Sequence, residues 1–209
     1  MNIHIARIIS VIFHPVLIPT YGIIALLSMD YFYSYPQVYK MVAVSIVNLC
    51  TFFIPLSFLF IMYKIKIVDD MRIEKREQRH SIYFITLASY MLCVFLLWKI
   101  MMPYWFMMLA VCALLVILAV AIINFFWKIS VHAATAGCFA GGTFLIAFLL
   151  KLNPWMFICI VLFMGALVMS ARIKLKAHSL AQVVAGYVLG LGFMILLPVF
   201  FQMFSRFLM

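Results

Sequence analysis

Residues 103–126 read PYWFMMLAVCALLVILAVAIINFF, and this stretch contains no charged side chain. A run of about 20 apolar residues is long enough for one helix to cross the hydrocarbon core of a bilayer. Lipid offers no hydrogen-bond partners to backbone groups, so a run of this kind is expected to be helical throughout. The stretch therefore predicts a transmembrane helix.

The same pattern recurs along the chain of 209 residues, of which 69% are hydrophobic and 10% charged. So few polar side chains cannot coat a soluble globule of this size. We therefore predict an all-α protein, a polytopic transmembrane bundle that forms a single integral membrane domain over residues 1–209. About seven spans are expected, at residues 8–29, 41–63, 81–98, 103–126, 130–150, 154–171 and 179–203.

The net charge of +10 comes from basic residues in short loops between the apolar runs. This distribution favours anionic lipid head groups as the partner and argues against nucleic acid. The five cysteines lie inside apolar runs without a Cys-x-x-Cys pair, so we expect them to be packing residues. His14 and Pro15 are expected to mark a kink in the first span.

Seven crossings would place the amino terminus and the loops after spans two, four and six on one membrane face. The opposite face would receive Lys40, Lys99, Lys151 and Arg206. The first face would receive the other eleven basic residues, which are Arg7, Lys64, Lys66, Arg72, Lys75, Arg76, Arg79, Lys128, Arg172, Lys174 and Lys176. By the positive-inside rule we expect this face to be cytoplasmic, in a bacterial inner membrane.

Three polar segments would meet on that face, namely RIEKREQR at 72–79, KISVH at 128–132 and ARIKLKAH at 171–178. Ionisable groups at the ends of membrane helices are costly and commonly functional. Ser130 precedes a helix whose first N–H groups favour an anion, and arginines beside it would complete a phosphate cradle. A plain helix cap is the alternative role for Ser130, and topology-setting anchors are the alternative for the basic residues.

Two histidines in such a cradle, His132 and His178, suggest chemistry as well as binding. Imidazole can attack phosphorus or donate a proton to a leaving oxygen near neutral pH. On the last span, Gln182 lies four residues after His178 and therefore on the same helix face. Its amide is expected to hold the His178 ring by a hydrogen bond.

These residues resemble the motifs of the type 2 phosphatidic acid phosphatase superfamily of membrane lipid phosphatases. The family pattern is a basic residue, six others and Arg-Pro, then Pro-Ser-Gly-His, then Ser-Arg, five others, His, three others and Asp. Three segments of the chain are similar to it in this order: Arg72-x6-Arg79, Ser130-Val131-His132 and Arg172-x5-His178-x3-Gln182. The likeness covers residues 64–190 and implies a six-span family core, to which this chain adds an amino-terminal helix.

The chain departs from the pattern at several positions. His80 follows Arg79 in place of proline, Ile129 precedes Ser130 in place of proline, and Val131 replaces glycine. Ala171 precedes Arg172 where the family has serine, and Gln182 replaces the aspartate. The last change matters most, because a glutamine can orient an imidazole but cannot stabilise its positive charge.

The resemblance implies a division of roles in hydrolysis of a lipid phosphomonoester or pyrophosphate. His178 would attack phosphorus and form a phosphohistidine, and His132 would protonate the departing alkoxide. The phosphoryl oxygens would be held by Arg72, Arg79, Ser130 and Arg172. The family needs no cofactor, and no metal site is expected here.

Two alternatives remain open from the sequence. One is a lipid phosphotransferase that passes the phosphoryl group to an alcohol instead of water. The other is a phospholipid-binding membrane protein that keeps the anion pocket and has lost the chemistry, which the glutamine at position 182 would favour. The sequence leaves the lipid tail and the oligomeric state open.

Overall fold

The computed structural model describes residues 1–70, 73 and 78–207, with side chains described as far as Pro198. Every regular element in this part of the chain is helical, which confirms the all-α class. Six helices there are long and apolar enough to cross a membrane. The protein is therefore an integral membrane protein by length and composition of its helices, and the count of seven spans stays a prediction.

The amino-terminal segment forms two short helices, α1 (Ile3–Ile12) and α2 (Ile18–Leu27). The predicted first span at 8–29 is therefore wrong as a single helix. Pro15 disfavours a helical conformation at the residue before it, and Pro19 is accommodated only in the first turn of α2. Each helix has ten residues and is about 15 Å long, which is half the thickness of the hydrocarbon core.

The long helices follow the predicted spans two to seven to within about four residues. The first consists of α3 (Gln37–Asn48), a π-helical turn (Leu49–Phe53) and α4 (Ile54–Lys64), which run on without a break. The others are α5 (Arg79–Lys99), α6 (Tyr104–Phe126), α7 (Val131–Leu149), α8 (Trp155–Lys174) and α9 (Leu180–Phe207).

The helices form two compact units. Unit 1 contains Met1–Pro15 and Lys128–Met209, so that α1 belongs to the same unit as α7, α8 and α9 and packs against α8, although more than half of the chain separates them. Unit 2 contains Val16–Trp127, with an apolar core built around Phe32, Leu97 and Phe106. The break after α1 thus coincides with the boundary between the two units in the chain.

Close packing of α7 on α9 organises unit 1. Gly137 and Gly141 on α7 and Gly186 and Gly190 on α9 repeat at four-residue spacing, the small-xxx-small pattern that lets membrane helices approach. A Cβ atom on Gly190 would stand 2.0 Å from the carbonyl oxygen of Ala134, and one on Gly137 would stand 2.1 Å from that of Tyr187. The two backbones are therefore in direct contact.

This contact fixes the start of α7 against the start of α9. A Cβ on Gly186 would stand 2.6 Å from the carbonyl oxygen of Ser130, and the Ser130 N–H donates to the carbonyl oxygen of Gln182 at 3.3 Å. On the other side of α9, the Tyr187 ring packs on Gly165 of α8. The first turns of α7 and α9 are thus neighbours, and they carry the predicted histidines.

Candidate functional site

His132 is held at the second position of α7 by the end of α1. Its Nε2 lies 3.3 Å from the carbonyl oxygen of Ser10, in the last turn of α1. The His14 N–H, which would close the next helical turn, donates to Val11 instead of Ser10. Because a carbonyl oxygen only accepts, Nε2 of His132 must carry a proton, and Nδ1 has the lone pair of the neutral ring.

Gln182 holds His178 through the other ring nitrogen, Nδ1. Nδ1 of His178 lies 3.3 Å from Gln182 Oε1, and the same oxygen accepts the Ser179 N–H at 3.0 Å. The Gln182 N–H donates back to Ser179 Oγ at 3.3 Å, which completes a capping box at the start of α9. The backbone donor identifies the amide atom as oxygen, so His178 Nδ1 carries the proton and Nε2 the lone pair.

The structure brings three of the predicted residues together. His132 interacts electrostatically with both Arg172 and His178. Arg172 lies in the last turn of α8, where the helix dipole favours a cation, and His178 is 8% exposed in the link that follows. The α7 and α9 contact explains this meeting, since His132 and His178 flank the two helix starts that the glycines bring together.

A fourth residue of the cluster, His14, was not predicted as a site residue. Its ring lies edge-on to that of His132, with centroids 5.2 Å apart and planes at 82°. The kink predicted at His14 is a full break between α1 and α2, and His14 lies there beside Arg172. Desolvation and the Arg172 guanidinium lower the pKa of His14 below its ordinary value of 6.5.

The cluster concentrates positive and titratable groups in a unit without any carboxylate side chain. None of the residues in Met1–Pro15 or Lys128–Met209 is Asp or Glu. Arg172 and the three histidines therefore receive no negative charge from acidic side chains of unit 1. A bound oxyanion would supply that charge, and guanidinium and imidazolium groups are the donors that phosphate prefers.

No protein-family model, curated protein or solved structure matches this chain. Its own geometry is therefore the basis for any proposal about its function.

Ser130 has the geometry of a helix cap. Its side chain is fully buried at 0% exposure, and Oγ accepts the Ala133 N–H at 3.4 Å. Its carbonyl oxygen accepts the Ala134 N–H at 3.0 Å. Burial and the bond to Ala133 identify Ser130 as a helix cap, and its contact with phosphate stays a prediction.

The first predicted cluster is only partly described. Arg72 lies outside the described residues. Arg79 begins α5 in unit 2, where its Nε donates to the carbonyl oxygen of Ile73 at 2.9 Å. Its side chain also forms a hydrogen bond with that of Tyr83. The phosphate-binding roles of both arginines stay predictions.

Metal ligands are not grouped in the described part of the chain. No set of three or more His, Cys, Asp or Glu side chains there is arranged to hold an ion. His132 and His178 are instead oriented by a carbonyl and an amide oxygen, and the rings of His14 and His132 contact each other.

Proposed function

We propose that this protein is an integral membrane phosphatase that hydrolyses a phosphomonoester or pyrophosphate carried on a lipid. The observation that supports this best is the meeting of His132, His178 and Arg172 in a unit without acidic side chains. A positive cluster at the end of membrane helices suits a head group whose tail stays in the bilayer. Phosphatidate, phosphatidylglycerophosphate and an isoprenyl diphosphate all have this form.

The first chemical step is assigned to His178. Its Nδ1–H is held by Gln182, so Nε2 is the nitrogen with the lone pair that attacks phosphorus. The N–P bond forms as the bond from phosphorus to the lipid oxygen breaks. Arg172 neutralises charge on the phosphoryl oxygens, which is the positioning and charge stabilisation that phosphoryl transfer needs.

Proton transfer is assigned to His132. Its Nε2–H stays on the Ser10 carbonyl, so Nδ1 is the nitrogen that exchanges protons. As an imidazolium it gives this proton to the departing lipid alkoxide. In the second step neutral His132 takes a proton from water, the water oxygen attacks phosphorus, and inorganic phosphate leaves His178 in its original state.

Phosphate release by the purified protein tests the proposal. We expect the protein in detergent micelles to release inorganic phosphate from at least one lipid phosphate in a small panel. His178→Ala and His132→Ala should each abolish release, whereas the exposed His4→Ala should retain it. Full turnover in either site variant would overturn the assignment, and an added alcohol that receives the phosphoryl group would show a phosphotransferase.

A phospholipid-binding protein without turnover is the second candidate, and the capping box supports it. Gln182 Oε1 already accepts the Ser179 N–H, which stabilises α9 whether or not His178 reacts. Glutamine also brings no charge to balance a phosphohistidine. Binding of orthovanadate without release of phosphate from any lipid in the panel would identify this candidate.

We also propose seven crossings, with residues 16–36 as the first. If each of the six long helices crosses once, the loop that carries His132 and the start of Gln37–Lys64 lie on opposite faces. His14 lies beside His132, so the chain between His14 and Gln37 must cross the membrane. This segment contains α2, and it places the cluster on the face with most of the Lys and Arg residues, which is expected to be cytoplasmic.

A further inference from the structure

The end of α1 contacts His132 in two ways, although residues 1–15 lie outside the segment that resembles the phosphatase family. The Ser10 carbonyl oxygen is 3.3 Å from Nε2 of His132, and the His14 ring lies edge-on to the His132 ring. In chain order Ser10 and His132 are 122 positions apart. Such a contact is built by folding of unit 1 and not by local sequence.

One hydrogen bond alone does not fix an imidazole. With only the bond from Nε2 to the Ser10 carbonyl, the ring can still turn about that bond, and the side chain can still change its χ1 and χ2 angles. A second aromatic ring, edge-on at 5.2 Å and 82°, restricts this rotation. Together the carbonyl and the ring leave one orientation for Nδ1, the nitrogen to which the proposed function gives the proton.

We propose that His14 is a positioning residue, which holds the His132 ring against the Ser10 carbonyl so that Nδ1 faces the leaving oxygen of the bound phosphate. The role in proton transfer rests on the proposed function. The positioning itself does not, because it concerns the conformation of His132 in the free protein.

The end of α1 also suits the charge that His132 must bear. The last carbonyl groups of a helix carry its negative dipole end, which stabilises an imidazolium placed there. Ser10 supplies one of these carbonyls to His132.

Two substitutions separate positioning from other roles of His14. His14→Phe keeps an aromatic edge of similar size but has no ring nitrogen, so it preserves positioning and removes any contact with the phosphate. His14→Ala removes both. The exposed His4, in α1, provides the matched control His4→Ala.

Two substrates show whether the loss concerns proton donation. An alkyl ester such as phosphatidate needs a proton on its leaving oxygen, whereas p-nitrophenyl phosphate does not, because nitrophenolate is a stable anion. We expect His14→Ala to lower kcat on phosphatidate about 10- to 100-fold with KM unchanged, and to alter kcat on p-nitrophenyl phosphate less than about twofold. His14→Phe should restore most of the lost rate.

Equal losses on both substrates, or a His14→Phe variant as slow as His14→Ala, would overturn the proposal. If the wild-type protein releases no phosphate, the proposed function fails, and the ring nitrogen shifts of ¹⁵N-labelled His132 then test positioning alone. We expect the neutral ring to be protonated at Nε2 in the wild type and in His14→Phe, and to mix both tautomers in His14→Ala. An unchanged His132 spectrum in His14→Ala would contradict positioning.

Discussion

Gly190 on α9 lies so close to Ala134 on α7 that a Cβ atom on the glycine would stand 2.0 Å from the alanine carbonyl oxygen. This backbone contact, repeated at Gly137, Gly141 and Gly186, holds the starts of α7 and α9 together. The distance between His132 and His178 therefore depends on residues that touch neither histidine.

Gly190→Ala is expected to separate α7 from α9. The Ala134 carbonyl oxygen cannot move 1 Å or more away from the new Cβ unless a whole helix shifts. The variant should therefore lose about 1–3 kcal/mol or more of stability. Thermal unfolding in detergent measures this loss. Gly192→Ala is the matched control, because its Cβ would meet only the Leu196 Cδ1 atom at 4.0 Å. Equal melting temperatures for the two variants would contradict the packing described.

Gln182→Glu is expected to raise kcat. The glutamate is isosteric, retains the capping box with Ser179, and turns the bond to His178 into a charge-assisted one. The gain in hydrogen-bond strength is about 1 kcal/mol, or about fivefold in rate. KM should also rise, since the new charge repels the bound phosphate. Steady-state kinetics on the best lipid phosphate would show both effects.

Gln182→Leu is the control for Gln182→Glu, because it weakens the hold on His178 instead of strengthening it. It removes the acceptor for Nδ1–H, so His178 loses its tautomer preference and kcat should fall at least about a hundredfold. A Gln182→Leu variant as active as the wild type would mean that the capping box is the only role of Gln182.

Stability should fall in acid partly through His14. Its pKa in the folded protein lies below 6.5, because of desolvation and the nearby Arg172, with His132 facing it as a second titratable group. The unfolded chain therefore binds more protons, and stability present above about pH 6.5 is lost as the pH falls toward the folded pKa. His14→Phe should melt with a smaller decrease between about pH 7.5 and pH 5. If the melting temperature of His14→Phe falls as much in acid as that of the wild type, protonation of His14 beside Arg172 does not contribute to the loss of stability.

Cysteine labelling tests the seven crossings. In a variant without the native cysteines, His4→Cys should react from the same side of the membrane as Lys176→Cys, and Met101→Cys from the other side. All three positions are exposed. His4→Cys and Lys176→Cys should both require permeabilised cells, since their face is expected to be cytoplasmic. Labelling of His4→Cys from the same side as Met101→Cys would instead indicate six crossings.

The sequence predicts the long helices well, because a run of about 20 apolar residues has few other conformations in lipid. It fails at the first span, where Pro15 and Pro19 break a run that hydropathy alone reads as continuous. It also anticipates the bond between His178 and Gln182, but for a reason that the structure corrects. His178 lies before the first residue of α9, so the capping box of Ser179 and Gln182, and not a shared helix face, brings the two side chains together.

The contribution of α1 to the site could not be read from local patterns. His14 lies far from His132 in the chain, and nothing in the spacing of its neighbours indicates which helix it meets. The glycines that set the α7 and α9 contact are visible in the sequence, but their partner helix is not. Ser130 is a different case, because the sequence indicates two roles for it. A serine before a helix fits both a cap and an anion contact, and only the structure shows that its side chain is buried.

Orthovanadate binding tests the central claim most directly, because vanadate accepts the same ligands as a phosphoryl group in transfer. Ring nitrogen signals of ¹⁵N-labelled His132 and His178 should both shift on titration, with one common Kd, and Arg172→Gln should weaken that Kd at least about tenfold. Signals of His4 should not move. A shift of only one of the two site histidines, or two different Kd values, would contradict a single oxyanion site shared by His132, His178 and Arg172.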